Sequence, residues 1–315
     1  MPDLPHRELG GRSVSAVGLG CNNFGRGVDL EGTRAVVDAA LDAGVSFLDT
    51  ADVYGSGGGS ETLLGEVLKG RRDEVVLATK FGMDMGEAGP SARPRGSKAY
   101  INEAIDDSLR RLQTDVIDLY QYHRPDGETP IEETLGALDE LVQAGKVRYI
   151  GCSNFSATEL DEAAGAAREI GLTSFVSLQN EYSLLKRDIE ADVIPECEQL
   201  GVAVLPYFPL ASGLLTGKYR RGQDAPEGTR LAGRPRIADD ETFDRLEAAE
   251  RFARERGVEL LDVAITGLAA QSMVASVIAG ATKPDHVRAN AAAMRWAPSP
   301  EDLAELDRIF PTPRR

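Results

Sequence analysis

One carboxylate, one lysine and two polar rings stand at or just beyond the ends of apolar runs in the first half of the chain. Asp49 and Tyr54 lie in FLDTADVYGSGGGSE, Lys80 ends EVVLATK, and His123 ends VIDLYQYH. A tyrosine has an ordinary pKa of about 10 and is a poor proton donor at neutral pH. A cation about 4 Å away, at an effective dielectric of about 20, contributes about 4 kcal/mol, or roughly three pKa units. We therefore predict that Lys80 brings the pKa of Tyr54 near neutrality while Asp49 holds Lys80 charged, which suits acid–base chemistry on an oxygen.

Short β-rich runs alternate with amphipathic stretches from Val14 onward, a pattern that predicts parallel βα units. The predicted strands are Ala16–Gly20, Val45–Asp49, Glu74–Lys80, Val116–His123, Val147–Cys152, Phe175–Asn180, Val202–Tyr207 and Ser276–Gly280. With HRELGGRSVS as a hairpin that closes the bottom, these repeats predict an α/β fold: a (β/α)8 TIM barrel with an N-terminal β-hairpin, in one domain over residues 1–315. The polar residues then lie at the carboxyl ends of strands, where barrel enzymes carry their catalytic groups.

Helix starts and one irregular segment are also marked in the sequence. Apolar residues at helical spacing predict helices around Ile101–Leu112 and Ile131–Val142. Thr129 with Glu132, and Ser156 with Glu159, have the spacing of capping boxes. The glycine-, proline- and arginine-rich stretch from about Ala211 to Glu241 is predicted to be a long loop, which in compact domains is usually functional or disordered.

Composition excludes several classes of function. The formal charge of −16 argues against a nucleic-acid surface, and no apolar run is long enough to span a bilayer. The start MPDLPHRELGG lacks the features of an export signal, so we expect a cytoplasmic protein. Three cysteines and three histidines have no metal-ligand spacing, so no metal is predicted and the cysteines are expected to be reduced thiols.

Two alternatives compete with a catalytic barrel. A doubly wound dinucleotide fold needs GxGxxG, but GLGCNNFG has its third glycine too late and GSGGGS ends in serine. Taken singly, Asp49 could cap a turn, Lys80 could be a solvated strand end and His123 a satisfied buried histidine. The shared position at strand ends, and the combination of tyrosine, lysine and carboxylate, favour a site.

Seven motifs together resemble the aldo-keto reductase family, in that family's order and over nearly the whole chain. They are LDTADVYG from Leu48, ATKFG from Ala78, YQYHRPD from Tyr120, GKVRYIGCSNFS from Gly145, LQNEYSLL from Leu178, PYFPLASGLLTGKY from Pro206 and IAGATKPDHVRAN from Ile278. The resemblance implies a barrel that binds a nicotinamide cofactor, usually NADPH, without a Rossmann fold.

The resemblance also implies roles for individual residues. The catalytic set would be Asp49, Tyr54, Lys80 and His123, with Tyr54 as proton donor and His123 orienting the substrate carbonyl. Ser153, Asn154 and Gln179 would hydrogen-bond the nicotinamide carboxamide, and Tyr207 would stack on the nicotinamide ring. The other expected cofactor contacts are Gly20, Cys21, Asn22, Phe208, Pro209, Leu210, Gly213, Lys218, Arg230, Gly280, Thr282, Lys283, His286 and Asn290. Phe208 and Ala279 depart from the family pattern, which has a small polar residue and a proline there.

Two basic segments suit the phosphates of that cofactor. The six lysines and arginines between Lys218 and Arg236 outnumber Asp224 and Glu227, which favours a flap over the pyrophosphate. Lys283 and His286 lie at a predicted helix start, where a cation and free amides favour a phosphate. By the resemblance, the 2′-phosphate of NADP would bind there and Asn290 would contact the adenine.

The expected function is NADPH-dependent reduction of a small-molecule aldehyde or ketone to the alcohol, in the reversible manner of the family. One alternative is a catalytically weak nicotinamide-binding regulatory subunit on the same barrel. A second is an unrelated barrel isomerase that uses the same polar set without nicotinamide. No nucleic acid, no membrane and no particular oligomeric state are predicted.

Overall fold

A single parallel sheet of eight strands dominates the fold. The computed structural model describes residues 4–234 and 236–312. The strands are β1 His6–Leu9, β2 Arg12–Ser15, β3 Val17–Gly20, β4 Phe47–Asp49, β5 Val76–Phe81, β6 Ile117–Tyr122, β7 Val147–Ser153, β8 Ser177–Gln179, β9 Ala203–Val204 and β10 Val277–Gly280. The helices are α1 Leu30–Asp42, α2 Tyr54–Val67, α3 Lys98–Leu112, α4 Ile131–Gln143, α5 Ala157–Ile170, α6 Val193–Leu200, α7 Asp240–Glu255, α8 Leu260–Ala269, α9 Pro284–Ala293 and α10 Pro300–Ile309.

The parallel sheet closes on itself. Its strand order is β10-β3-β4-β5-β6-β7-β8-β9, with every neighbouring pair parallel. The two edges meet through the backbone, because Val204 bridges to Val274 and the Ile278 N–H donates to the oxygen of Pro206 at 2.9 Å. The predicted (β/α)8 TIM barrel is therefore confirmed.

The N-terminal residues form the predicted hairpin. β1 and β2 pair antiparallel, with Leu9 opposite Arg12. Leu9 and Val14 are buried in a cluster with Phe47, Val76 and Leu119, near the amino ends of β4, β5 and β6. The hairpin therefore covers the end of the barrel opposite the predicted site.

Two local predictions need correction. β9 is shorter than predicted because Pro206 has no N–H to continue the ladder, although Leu205 and Tyr207 still donate to the neighbouring strand region. The capping box predicted at Thr129 is wrong. The N-cap of α4 is Pro130, and the Thr129 hydroxyl instead donates to Asp126 at 2.8 Å.

Other helix predictions are confirmed. Ser156 and Glu159 form a reciprocal capping box at the start of α5. The buried faces of α3 and α4 include Ile101, Ile105 and Leu138 at the predicted spacing. The irregular segment begins with a short 3-10 turn over Ala211–Thr216 and ends where α7 begins at Asp240. Among the helices described, none is both long and apolar enough to cross a membrane.

Candidate active site

A buried ion pair joins β4 and β5 inside the barrel. The Nζ of Lys80 lies 2.7 Å from Oδ2 of Asp49 and donates to the backbone oxygen of Thr50 at 2.8 Å. Burial alone would lower the pKa of Lys80, but the Asp49 carboxylate and Tyr54 raise the pKa above its ordinary value. Lys80 is therefore a fully buried cation held in place by Asp49.

Two amides complete the surroundings of Asp49. Its Oδ1 accepts from Nε2 of Gln179 at 2.9 Å and from Nε2 of Gln121 at 3.1 Å. The Gln179 contact crosses the barrel interior, because β8 lies four places from β4 in the sheet. Gln121 was not among the predicted site residues. Strand alternation in YQYH places Gln121 on the same face as His123, so the strand period was the signal that could have found it.

Tyr54 faces the buried lysine. The Nζ of Lys80 lies 5.0 Å from the centre of the Tyr54 ring. Burial raises the pKa of Tyr54 by more than the Lys80 charge lowers it, so the pKa lies above its ordinary value. The expectation of a Tyr54 pKa near neutrality is therefore wrong. The same enclosure that brings Lys80 close also removes the water that would stabilise the phenolate.

The glycine-rich run after Tyr54 is a left-handed turn. Residues 55–58 have φ values from +64° to +96°, and a right-handed helix follows only after them. A β-carbon on Gly55 would lie 2.6 Å from the nitrogen of Ser60 and 2.7 Å from the oxygen of Phe24. Glycine is required at residue 55 for both reasons, and this turn sets the direction in which Tyr54 enters the site.

His123 follows β6 and lies beside Tyr54. The two ring centroids are 5.9 Å apart with an interplanar angle of 86°. Burial lowers the pKa of His123 well below its ordinary value, and the charges of Lys80 and Arg124 lower it further. The imidazole is therefore neutral at physiological pH. Its Nδ1 is buried without a hydrogen-bond partner in the described part of the chain.

A chain of hydrogen bonds connects β6, β7 and the end of β9. The Tyr207 hydroxyl donates to Oδ1 of Asn154 at 2.8 Å. Asn154 Nδ2 in turn donates to the His123 backbone oxygen at 3.0 Å. The Ser153 hydroxyl donates to the Gln179 backbone oxygen at 2.7 Å. The predicted carboxamide contacts and the predicted stacking ring are thus brought to one side of the mouth, next to His123.

The residues at the end of β3 differ in accessibility. Gly20 ends the strand and Asn22 is partly exposed, whereas Cys21 is fully buried. The Cys21 N–H donates to the oxygen of Asp49, and its own oxygen accepts from the Ser60 hydroxyl. Burial raises the pKa of the Cys21 thiol well above its ordinary value.

Basic groups from two segments meet at the start of α9. Burial lowers the pKa of His286, and the charges of Lys218 and Lys283 lower it further, so all three groups lie within electrostatic range. Lys283 is the N-cap of α9 and makes no side-chain cap bond. Asp285 opposes this positive charge, but it is paired with Arg288 at 3.0 Å. The arrangement suits an anion.

The other predicted residues near α9 surround this basic group. Gly280 ends β10, and the exposed Thr282 donates its N–H to Nδ1 of His286 at 3.4 Å. Asn290 is the seventh residue of α9 and is buried. Ala279, where the resemblance predicted proline, is buried within β10.

The segment after β9 brings further predicted residues to the mouth. Arg230 lies over the ring of the exposed Phe208, 4.7 Å from its centre. Gly213 has a φ of +93°, and a β-carbon there would lie 2.8 Å from Nζ of Lys218. Of the residues between Phe208 and Gly213, Pro209 is buried and Leu210 is half-buried. The loop therefore carries Lys218 and Arg230 back over the β9 side of the barrel.

Asp52 is a buried acid close to the site that was not among the predicted site residues. Asp52 is fully buried, and no side chain among the described residues hydrogen-bonds its carboxyl oxygens. Burial raises the pKa of Asp52 well above its ordinary value, and the Glu61 carboxylate raises it further. Glu61 itself is paired with Arg111 at 2.7 Å. Burial therefore favours the protonated form of Asp52, which sequence alone could not indicate because it depends on which helix covers the residue.

Comparisons with known proteins match nearly the whole chain to one family. Residues 16–310 match the sequence profile of the aldo/keto reductase family. The chain is 36% identical to "Uncharacterized oxidoreductase YrpG" of Bacillus subtilis, covering 96% of this chain and 94% of that protein. It is 34% identical to "Aldo-keto reductase yakc [NADP(+)]" of Schizosaccharomyces pombe, covering 96% and 90%. It is 33% identical to a "Probable voltage-gated potassium channel subunit beta" of rice, Oryza sativa subsp. japonica, covering 97% and 96%.

A solved structure has the same fold. The aldo-keto reductase AKR11C1 from Bacillus halodurans, in its holo form, superposes with a TM-score of 0.82 at 33% identity, covering 99% of this chain and 98% of that one. The chain belongs to the aldo/keto reductase family of oxidoreductases.

Proposed function

We propose that this protein uses NADPH to reduce an aldehyde or ketone, with Tyr54 as the proton donor. The observation that carries the proposal is the buried Lys80–Asp49 pair at 2.7 Å, directed at Tyr54 beside a neutral His123. This combination supports proton donation to an oxygen in a site sheltered from water.

The chain's own residues would divide the work as follows. Tyr54 keeps its proton at neutral pH because burial raises its pKa, so the donor is present when a carbonyl binds. As the proton leaves, the Lys80 cation stabilises the phenolate that remains, and Asp49 prevents Lys80 from moving away. A neutral His123 can donate one hydrogen bond to the carbonyl oxygen without competing for the proton.

The residues around the mouth fit a phosphorylated nicotinamide cofactor. Lys283, His286 and Lys218 would hold the 2′-phosphate, Arg230 the pyrophosphate, and Tyr207 with Asn154 the nicotinamide end. When bound, this cofactor supplies the hydride. The choice of NADPH over NADH is part of the proposal, and the relative from Schizosaccharomyces pombe is named for NADP(+).

A binding subunit without turnover is the second candidate, since one relative is named as a probable potassium-channel subunit. The complete set of Asp49, Tyr54, Lys80 and His123 favours an enzyme instead. NADPH titration by protein fluorescence, followed by turnover of a panel of aldehydes, quinones and ketones, separates the possibilities. We expect both binding and turnover. NADPH binding without turnover would favour the binding subunit. A protein that does not bind NADPH would contradict both the reductase and the binding subunit, and would favour an isomerase that works without nicotinamide.

A further inference from the structure

An unpaired arginine stands beside the proposed proton donor. Arg124 directly follows His123 and is exposed. No ion pair or hydrogen bond involves its guanidinium within residues 4–234 and 236–312. Some exposed arginines are paired, for example Arg220 with Glu250 at 2.5 Å and Arg221 with Asp240, Asp244 and Glu247 on α7. Others, such as Arg34 and Arg168, lack an ion pair among the described residues as Arg124 does, so what distinguishes Arg124 is its place beside His123.

Nearby acids are already engaged. Asp126, two residues further on, accepts from the N–H groups of Gly96, Glu128 and Thr129 and from the Thr129 hydroxyl. These bonds fix the turn after β6 while leaving Arg124 without an internal counter-ion. An arginine left unneutralised in a protein of net charge −16 is available to an external anion.

The position of Arg124 is remote from the residues to which the cofactor phosphates are assigned. In the closed sheet β6 lies four places from β10, so the end of β6 is opposite the end of β10 across the mouth. Lys283 and His286 follow β10 and form the basic group assigned to the 2′-phosphate. Arg124 therefore lies on the side that the phosphates do not use.

The charge of Arg124 also acts over the mouth rather than away from it. It contributes to the lowered pKa of His123 after burial and Lys80. Burial and Glu181 raise the pKa of Tyr207, and Arg124 acts against them, although Tyr207 follows a strand three places away. Because Arg124 directly follows His123 beyond the carboxyl end of β6, its charge is at the mouth of the barrel, within electrostatic range of both His123 and Tyr207.

We propose that Arg124 binds a carboxylate on the carbonyl substrate, so that the preferred substrates are aldehydes or ketones that also carry a carboxylate. The proposal rests on the proposed carbonyl reduction and adds the substrate class. The planar guanidinium can hold a carboxylate through two parallel hydrogen bonds, which orients the substrate as well as attracting it. The carboxylate lies at the rim, and the carbonyl points inward to Tyr54 and His123.

The test compares two ligands that differ in one charge: para-carboxybenzaldehyde and its neutral methyl ester, methyl para-formylbenzoate. Their dissociation constants are measured calorimetrically with NADP+ present, where no reduction can occur. We expect the wild type to bind the carboxylate about ten- to a hundredfold more tightly than the ester, and Arg124→Met to remove this preference. Arg124→Lys should keep part of it, because the charge remains but the paired geometry is lost.

The matched control is Arg168→Met. Arg168 is exposed in the last turn of α5, which lies at the opposite end of the barrel from the mouth, and its loss changes the net charge equally. This control should retain the preference. Equal binding of the two ligands by wild type, binding of neither, or an unchanged preference in Arg124→Met would overturn the inference. Turnover of the neutral ester with NADPH is scored separately, so failure of the reductase proposal is distinguishable.

Discussion

At the scale of single residues, the lysine buried inside the barrel contributes both a charge and a position. Lys80 is fully buried and depends on Asp49 for its ionised state. Removing one member of a buried pair leaves the other charge uncompensated, which costs roughly 3–5 kcal/mol. Function and stability must therefore be separated in any test of Lys80.

Lys80→Met is expected to lower turnover at least about a hundredfold and to change the pH–rate profile, because the phenolate of Tyr54 loses its stabilising cation. Turnover is measured across the pH range with a neutral aldehyde. The double variant Asp49→Asn/Lys80→Met carries no unpaired charge and should recover stability without recovering activity. An unchanged pH–rate profile in Lys80→Met would remove Lys80 from the tuning of Tyr54.

Asp52 provides a prediction about stability and pH. Its folded pKa is raised by burial and by Glu61, with Arg111 and Lys80 acting in the opposite direction. The folded state therefore holds a proton that the unfolded state loses above its ordinary pKa of about 3.9. This contribution to stability is largest at low pH and falls by up to about 1.4 kcal/mol per pH unit until the folded pKa is reached.

Asp52→Asn keeps the shape of the protonated acid and removes this titration. Relative to wild type, the variant should gain stability as the pH rises from about 5 to about 8. Urea unfolding of both proteins at these two values measures the gain. If the difference between the two proteins does not change with pH, Asp52 is not the buried proton carrier inferred here.

At the scale of elements, the left-handed turn that begins α2 carries Tyr54 into the site. Two glycines with positive φ allow the cost of a steric clash to be separated from the cost of the backbone conformation. A β-carbon on Gly55 would meet backbone atoms, whereas one on Gly70 would meet open space. Gly70→Ala should destabilise the protein by about 1–2 kcal/mol through backbone conformation alone.

Gly55→Ala should destabilise more than Gly70→Ala, since the Phe24 and Ser60 backbone must move, and it should lower turnover about tenfold or more by displacing Tyr54. Chemical unfolding and turnover of both variants provide the comparison. Equal stability losses with full activity in Gly55→Ala would show that the turn does not position the tyrosine.

The strands of the barrel could be predicted from the sequence more completely than the burial that the helices produce. Strand ends and their polar residues were predictable, because apolar runs fix the strands and a closed parallel sheet brings Asp49, Lys80 and His123 together. Gln121 could have been found from strand alternation. Asp52 and the raised pKa of Tyr54 could not, because burial is produced by helices distant in sequence. The capping box predicted at Thr129 does not form because the Thr129 hydroxyl hydrogen-bonds Asp126 instead. A helix cap and a preceding turn can therefore compete for the same side chain.

At the scale of the whole molecule, a net charge of −16 disfavours a cofactor that carries an additional phosphate. The two cations Lys283 and Lys218, beside His286, make the start of α9 locally positive. The preference for NADPH should therefore depend on one small basic group rather than on the general surface.

Lys283→Ala should weaken NADPH binding by about ten- to a hundredfold and scarcely change NADH binding, since only NADPH carries the 2′-phosphate. Dissociation constants for both cofactors are compared at fixed salt concentration. Arg295→Ala is the charge-matched control, because Arg295 is exposed beyond the other end of α9. A wild type that prefers NADH, or equal losses for both cofactors in Lys283→Ala, would contradict this assignment.

Tyr54→Phe tests most directly whether the barrel is a carbonyl reductase with a tyrosine proton donor. Phenylalanine keeps the ring beside Lys80 and His123 and removes only the hydroxyl. With NADPH and a neutral aldehyde, the variant should bind NADPH with nearly unchanged affinity while its turnover falls by roughly 10²–10⁴-fold. Near-wild-type turnover in Tyr54→Phe, with NADPH affinity retained, would contradict the role of Tyr54 and the mechanism built on it.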